Sequence, residues 1–186
     1  MPSRPLAPDP RGPRTVAGRP RSTQGYSDDH LTDIRLVKAL GPFDLDPAAS
    51  ISQPWDTARV MWTREDDGLS RDWSPFKLVW LNPPYGPGMY DWLDRLADHG
   101  SGIALVFART DTAGFHRSVW QRANAVYFFR GRLWFYKPVT GERFSENAGA
   151  PSCLAVWGKE ALSRVSRLTK PGSPYPGRLV KLRAGS

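Results

Sequence analysis

Phe76-Lys77-Leu78-Val79-Trp80-Leu81-Asn82-Pro83-Pro84-Tyr85 is the stretch on which the reading turns. Its first six residues are apolar apart from Lys77 and predict a strand over 76–81. Asn82-Pro83-Pro84-Tyr85 then ends it, because proline offers no backbone donor to continue a ladder. In an open α/β sheet, ligands bind beyond the carboxyl ends of strands, which is where this loop falls. Average residue usage yields the tetrapeptide by chance in roughly one chain of this length in two thousand. A tight turn capped by a core tyrosine accounts for the prolines, but not for the whole combination at a strand end.

The four residues suit group transfer to an aromatic amine. The lone pair of such an amine is delocalised into its ring, so the nitrogen is a poor nucleophile. Two carbonyl acceptors can hold both amine hydrogens and turn the nitrogen toward tetrahedral geometry. The Asn82 side-chain oxygen and the Pro83 backbone oxygen are the candidates, and the two prolines stiffen the loop that carries them. Tyr85 offers flat apolar area for stacking on a base. A base inside a duplex would first have to leave the stack.

Outward from this loop the chain alternates between strands and helices. Phe43-Asp44-Leu45 is a short strand running into Asp46-Pro47-Ala48-Ala49-Ser50, and Arg59-Val60-Met61-Trp62 is a second strand. Leu31, Ile34, Val37 and Leu40 follow a helical spacing that starts from an N-cap at Ser27 and stops at Gly41-Pro42. A helix is predicted over 88–98, with Met89, Trp92, Leu93 and Leu96 inward and Gly100 closing it. Ile103–Phe107 is continuously apolar, as in a strand covered on both faces. Residues 112–122 read as helical. Residues 124–129 and 132–136 read as strands split by Arg130-Gly131, and 152–157 as one more. Such alternation predicts a mainly parallel sheet, with the last strands pairing antiparallel at one edge.

The 186 residues suffice for one compact domain. The expected organisation is a disordered basic arm over 1–25, a folded domain over 26–169 and a basic, Pro/Gly-rich mobile tail over 170–186. No run of eighteen apolar residues exists, so no membrane span is expected, and the Arg/Pro-rich start lacks the apolar stretch of a secretory signal. Cys153 is the only cysteine and reads as a buried strand residue in a cytoplasmic protein. The net charge of +8 is unevenly spread. Residues 26–108 carry seven basic and thirteen acidic side chains; residues 109–186 carry fourteen and four. A basic second half attracts polyanions. His30, His99 and His116 have no metal-ligand spacing, so no metal is expected.

The ordered series of segments resembles the phage and prophage Dam-type DNA adenine methyltransferases. It comprises Phe43–Ser50, Glu65-Asp66-Asp67-Gly68-Leu69 before Trp73, Asn82–Tyr85, Arg109-Thr110-Asp111-Thr112 with Phe115 and His116, Gly131-Arg132-Leu133 with Phe135, and Ala150-Pro151-Ser152. The resemblance covers about residues 26–157. It implies a Rossmann-like class I methyltransferase fold with S-adenosylmethionine as methyl donor, and double-stranded DNA as substrate. It also implies a cofactor loop at 43–50, where Ala48, Ala49 and Ser50 replace the glycines of the wider methyltransferase pattern. Phe43, Asp44, Asp46, Pro47 and Ala48 are then candidate cofactor contacts. Asp44 and Asp46 would meet the cationic end or ribose, Asp66 or Asp67 the ribose hydroxyls, and Asn82 the cofactor as well as the base. The family's Thr-Pro step is Thr32-Asp33 here, inside a stretch read as helical, so Thr32 is assigned no cofactor role.

The chain is too short for a separate target-recognition domain, so DNA contacts are expected from short loops. Arg109, His116, Arg117, Arg122, Arg130, Arg132, Lys137 and Arg143 are the candidates, with 137–150 as a loop overhanging the catalytic face. The arms at 1–25 and 170–186 would add sequence-independent affinity. Three other readings share these motifs: a cytosine-amine DNA methyltransferase, a protein glutamine methyltransferase, and a non-catalytic basic DNA-binding protein on a decayed methyltransferase fold. Asn82 at the head of the loop favours adenine over cytosine. The basic charge favours DNA over protein, and the intact loop favours catalysis.

Overall fold

The architecture comes from a computed structural model, which describes residues 30–86 and 88–182. The basic arm expected over 1–25 and the helix start expected at Ser27 lie outside the described residues. In chain order the elements are β1 (Leu31–Thr32), α1 (Ile34–Leu40), β2 (Leu45–Asp46), β3 (Val60–Met61), β4 (Val79–Leu81), α2 (Met89–His99) and β5 (Gly102–Phe107). There follow α3 (Ala113–Phe115), which runs on into a π-helical turn (His116–Trp120), then β6 (Ala125–Phe129), β7 (Phe135–Tyr136), β8 (Ser152–Trp157), α4 (Lys159–Ser166) and β9 (Gly177–Lys181).

Seven strands form one sheet in the order β3-β2-β4-β5-β8-β6-β9. Strands β2 to β6 all run one way, and β8 and β9 run against them. The result is a mixed α/β fold with a mostly parallel sheet, compatible with a Rossmann-like architecture. The central strands β4, β5, β8 and β6 split their side chains between two cores. Ile103 and Leu105 of β5 join α1 and α4 on one face. Ala104 and Val106 join α2 and α3 on the other. This two-sided burial is the reason β5 is apolar at every position.

Four features depart from the sequence-based expectation. The antiparallel strand β8 lies inside the sheet, between β5 and β6, and only β9 is an antiparallel edge. All six residues of β8 are buried, so it needs a neighbour on each side. The stretch expected as a mobile tail instead supplies β9, whose partly exposed pattern and charged Arg178 and Lys181 suit an edge. Within 132–136 only Phe135 and Tyr136 are extended, and they leave the main sheet to pair with β1. Leu31 and Thr32 are therefore strand residues, not the start of a helix. Asp33 caps α1 by accepting the Arg35 amide at 2.9 Å, which sets the helix start at Ile34.

Gly100 ends α2 in the left-handed conformation (φ 79°), as the sequence predicted. Gly68 is required for a different reason. A Cβ there would lie 2.1 Å from the Pro47 carbonyl oxygen, so the loop after β3 can close on the loop after β2 only with glycine at that point.

Candidate active site

The chain leaves β2 toward β3 on one side and β4 toward β5 on the other, while β2 and β4 are neighbours. Such a switch point opens a crevice at the carboxyl ends of the two strands. A cleft of about 500 Å³ occupies it, walled by the loop after β2 (46–53), the loop after β3 (63–68), Asn82-Pro83-Pro84 and β1. Trp80 and Trp92 contribute apolar area.

Asn82 is held in a defined orientation. Its Nδ2 donates to the His30 carbonyl oxygen at 2.9 Å, and a carbonyl can accept only from the amide nitrogen. The Oδ1 atom is thereby turned away from His30; it is buried and has no hydrogen-bond partner among the described residues. A buried acceptor without a donor costs on the order of 1–3 kcal/mol, and a ligand N–H would recover that cost. Thr32 Oγ1 is in the same condition and also stands on the cleft wall.

Asp46 ends β2 with its carboxylate buried. One oxygen accepts the Ala48 amide at 3.1 Å and the other accepts the Thr57 hydroxyl. Gln53 Nε2 donates to Thr57 Oγ1 at 3.2 Å and to the Trp55 carbonyl, steadying that hydroxyl. Burial pushes the Asp46 carboxyl up to about 6, against the two hydrogen bonds that favour its charged form. A buried carboxylate in this state gains from a cationic ligand group.

Other predicted site residues divide between cleft and scaffold. Pro47, Ala48, Asp67, Pro83 and Pro84 line the cleft, and Ala49 and Ser50 do so beside them. Asp44 and Phe43 do not. Asp44 accepts the Lys77 and Leu78 amides at 3.1 and 3.0 Å and anchors the approach to β4. Phe43 packs in the core against Trp80 with ring centres 5.5 Å apart. Asp66 also stays off the cleft wall. It accepts the Thr63 amide at 2.9 Å and pairs with Arg71 at 3.0 Å, shaping the loop that presents Asp67.

Tyr85 is placed differently from its loop neighbours. Its ring stacks on Phe107 at 4.4 Å and 25°. The hydroxyl is buried with no partner among the described residues, and burial raises its pKa. The residue as a whole remains partly exposed, and unlike Asn82, Pro83 and Pro84 it does not line the cleft. Cys153 is buried, and its thiol is pushed up to about 12, far from a nucleophile's range.

The predicted DNA-contacting cations also divide. Arg117 pairs with Asp94 at 2.8 Å, and Arg122 pairs with Asp98 and lies 3.7 Å from Asp94. Both tie the α3 segment to α2. Lys137 is 3.6 Å from Glu142. Arg143 stands over the Trp134 ring at 4.3 Å. Arg109 and His116 are exposed beyond β5. Arg130 and Arg132 flank Gly131, and neither side chain has a hydrogen-bond or ion-pair partner among the described residues. The segment 137–150 reaches the cleft wall: the Val139 amide donates to the Ser52 carbonyl at 2.8 Å.

Sequence reasoning missed Thr32, Gln53, Thr57 and the His30 carbonyl. Asp33 followed by an amphipathic run was the available signal for Thr32, since an Asp N-cap there leaves 31–32 extended. Among the described residues no group of His, Cys, Asp and Glu could hold a metal ion, and no helix is long and apolar enough to cross a membrane.

The family of DNA N-6-adenine-methyltransferases (Dam) matches the chain over residues 32–170, well over half its length. No curated protein and no solved structure matches it. The matched span takes in every wall of the cleft apart from His30 and Leu31. The family also decides among the open readings, for adenine over cytosine or protein amide and for an enzyme over a binding module. The chain belongs to the DNA N-6-adenine-methyltransferase (Dam) family and is an adenine-specific DNA methyltransferase.

Proposed function

We propose that the cleft beyond β2 and β4 binds S-adenosylmethionine, and that Asn82-Pro83-Pro84-Tyr85 receives an adenine turned out of the duplex. This reading specifies the fold as a class I methyltransferase domain. The observation that carries it is Asn82 Oδ1, a buried acceptor without a donor among the described residues, aimed by a hydrogen bond from the same amide to His30.

The residues present fit the cofactor. Asp46 supplies a buried carboxylate for its ammonium, Thr32 a buried hydroxyl for its polar end, and Asp67 a carboxylate on the wall for ribose hydroxyls. Pro47 and Ala48 bring backbone and small side chains close to it. The bound cofactor supplies an electrophilic methyl carbon carried on a sulfonium.

Asn82 Oδ1 and the Pro83 carbonyl accept the two hydrogens of the adenine exocyclic amine. This localises the nitrogen lone pair and would ready it as the nucleophile for the methyl group that the cofactor would supply. Asn82 cannot titrate, so it takes no proton. The methylated amine is acidic and releases its extra proton to water. The Tyr85 ring, backed by Phe107, is the stacking platform for the base. The basic segments over 1–25 and 170–186 add affinity for DNA that weakens with salt.

The deciding experiment is methyl transfer from labelled S-adenosylmethionine to unmethylated genomic DNA, with nucleoside digestion and mass spectrometry. N6-methyladenine is the expected product. Absence of transfer to any base would sink the assignment of donor and cleft.

A further inference from the structure

Beside the cleft lies a second cavity of about 210 Å³, beyond the carboxyl ends of β5 and β6. Thr32 stands on the walls of both. Four arginines line the second cavity: Arg35, Arg130, Arg132 and Arg143. Its one carboxylate among the described residues is Asp33, and Arg35 engages it through two nitrogens, with Nη2 at 2.6 Å. Although burial works the other way, the hydrogen bonds from Arg35 hold the Asp33 carboxyl below its ordinary value, so it stays charged and paired. Arg143 is held over the Trp134 ring. Arg130 and Arg132 remain, on either side of Gly131, whose φ of 90° lies at the bend after β6, and both line the cavity.

The C-terminal segment completes this cavity. Pro174, Tyr175 and Pro176 form one wall. The Arg130 amide donates to the Pro176 carbonyl at 2.7 Å, and the Tyr127 hydroxyl donates to the Tyr175 carbonyl at 2.8 Å. The docking of β9 thus brings the strap that walls the cavity next to two cations. Arginines left without carboxylates around a concave surface attract an anion with several acceptor oxygens.

We propose that this cavity is a phosphate site for the DNA backbone next to the target adenine, with Arg130 and Arg132 as its principal contacts. The inference rests on the reading of the neighbouring cleft as the place where adenine is methylated. It assigns a path to the DNA: across the β6–β7 turn and the C-terminal strap, not across the α2–α3 face where Arg117 and Arg122 are already paired. Phosphate contacts position a duplex without reading its sequence, so a duplex of arbitrary sequence is a sufficient probe.

The test compares wild type with the double variant Arg130→Gln/Arg132→Gln and with Lys159→Gln, an exposed lysine at the start of α4, at the opposite end of the strands. Affinity for a fluorescein-labelled duplex is followed by anisotropy over a salt series. Cofactor affinity by calorimetry and the melting temperature serve as checks on folding. The double variant should lose about tenfold or more in duplex affinity, and its slope of log affinity against log salt should fall by about one unit per arginine removed. Its cofactor affinity should be unchanged, and Lys159→Gln should match wild type in every readout. Arg130→Lys/Arg132→Lys, which keeps the charge but not the fork, should recover part of the loss. An unchanged duplex affinity and slope, a loss of cofactor affinity in its place, or a wild type that binds no duplex overturns the proposal. A wild type that binds duplex through these arginines yet transfers no methyl group would instead remove the catalytic reading and leave the phosphate site standing.

Discussion

The cleft beyond β2 and β4 and the cavity beyond β5 and β6 share one end of the strands and one residue, Thr32, yet they are built with opposite charge. The cleft buries a single carboxylate, Asp46, and surrounds it with hydrogen-bond donors and indole rings. The cavity spreads four exposed arginines around its wall and neutralises its only carboxylate among the described residues. The difference teaches what each can hold. One charge withdrawn from water interacts strongly with a small ligand that brings the complementary charge inside. Several charges kept near water interact weakly each, but add up over a long polyanion that stays wet.

The largest effect should come from the Asn82 loop on the cleft wall. Asn82→Ala removes the oriented acceptor while leaving Asp46 and the basic cavity in place. Methyl transfer should fall by about 10²–10³-fold, as when a single oriented group is removed from an active site. Cofactor and duplex affinities should change little. Single-turnover transfer to genomic DNA measures the first and calorimetry the second. Turnover within a few-fold of wild type would mean that the amine is activated without Asn82.

Asp46 should show the cost of its burial as a pH dependence. Its carboxyl is raised from 3.8 to about 6 by desolvation, so the folded chain holds this proton more tightly than the unfolded one. The resulting stabilisation is full below about pH 4 and is lost as pH rises through 6, a swing of about 3 kcal/mol. Asp46→Asn escapes that loss, so at pH 7.5 the variant should melt higher than wild type. The ligand responds in the opposite sense. A cationic group binds the ionised carboxylate, so wild-type affinity for S-adenosylmethionine should climb by up to about tenfold per pH unit below 6 and level off above it. In Asp46→Asn that climb should vanish and affinity at pH 7.5 should drop by about tenfold or more. A pH profile unchanged by the substitution would assign the charge to another group, with Asp67 the first to examine.

What the sequence displayed of this arrangement was its local part. A strand stopped by Asn82-Pro83-Pro84-Tyr85 and a strand passing into Asp46-Pro47 are decided by neighbours in the chain, and both ends proved to face one cleft. Partnerships over long separations were hidden. Asp44 and Asp46 look equivalent two residues apart, but the Lys77 and Leu78 amides claim the first. Arg117 and Arg122 look as available as Arg130 and Arg132, yet their carboxylates wait on α2. The segment 177–181 reads as tail because its only strand partner is β6, some fifty residues earlier. Thr32 was hidden by a pattern read one turn too early, since the apolar spacing continues through Leu31 and only the cap at Asp33 separates strand from helix.

Thr32 gives the smallest effect and the sharpest comparison, because its hydroxyl, without a partner among the described residues, belongs to a residue that lines both cavities. Thr32→Val keeps the shape of the side chain and removes the oxygen. The free protein loses a buried polar atom that has no partner among the described residues, so its melting temperature should rise or hold. The hydroxyl is proposed to serve the cofactor, so affinity for S-adenosylmethionine should fall by about two- to tenfold, the worth of one hydrogen bond. Duplex affinity and its salt slope should stay at wild-type values. The reverse pattern, duplex binding weakened with cofactor affinity intact, would hand the residue to the basic cavity and move the boundary between the two sites to the other side of β1.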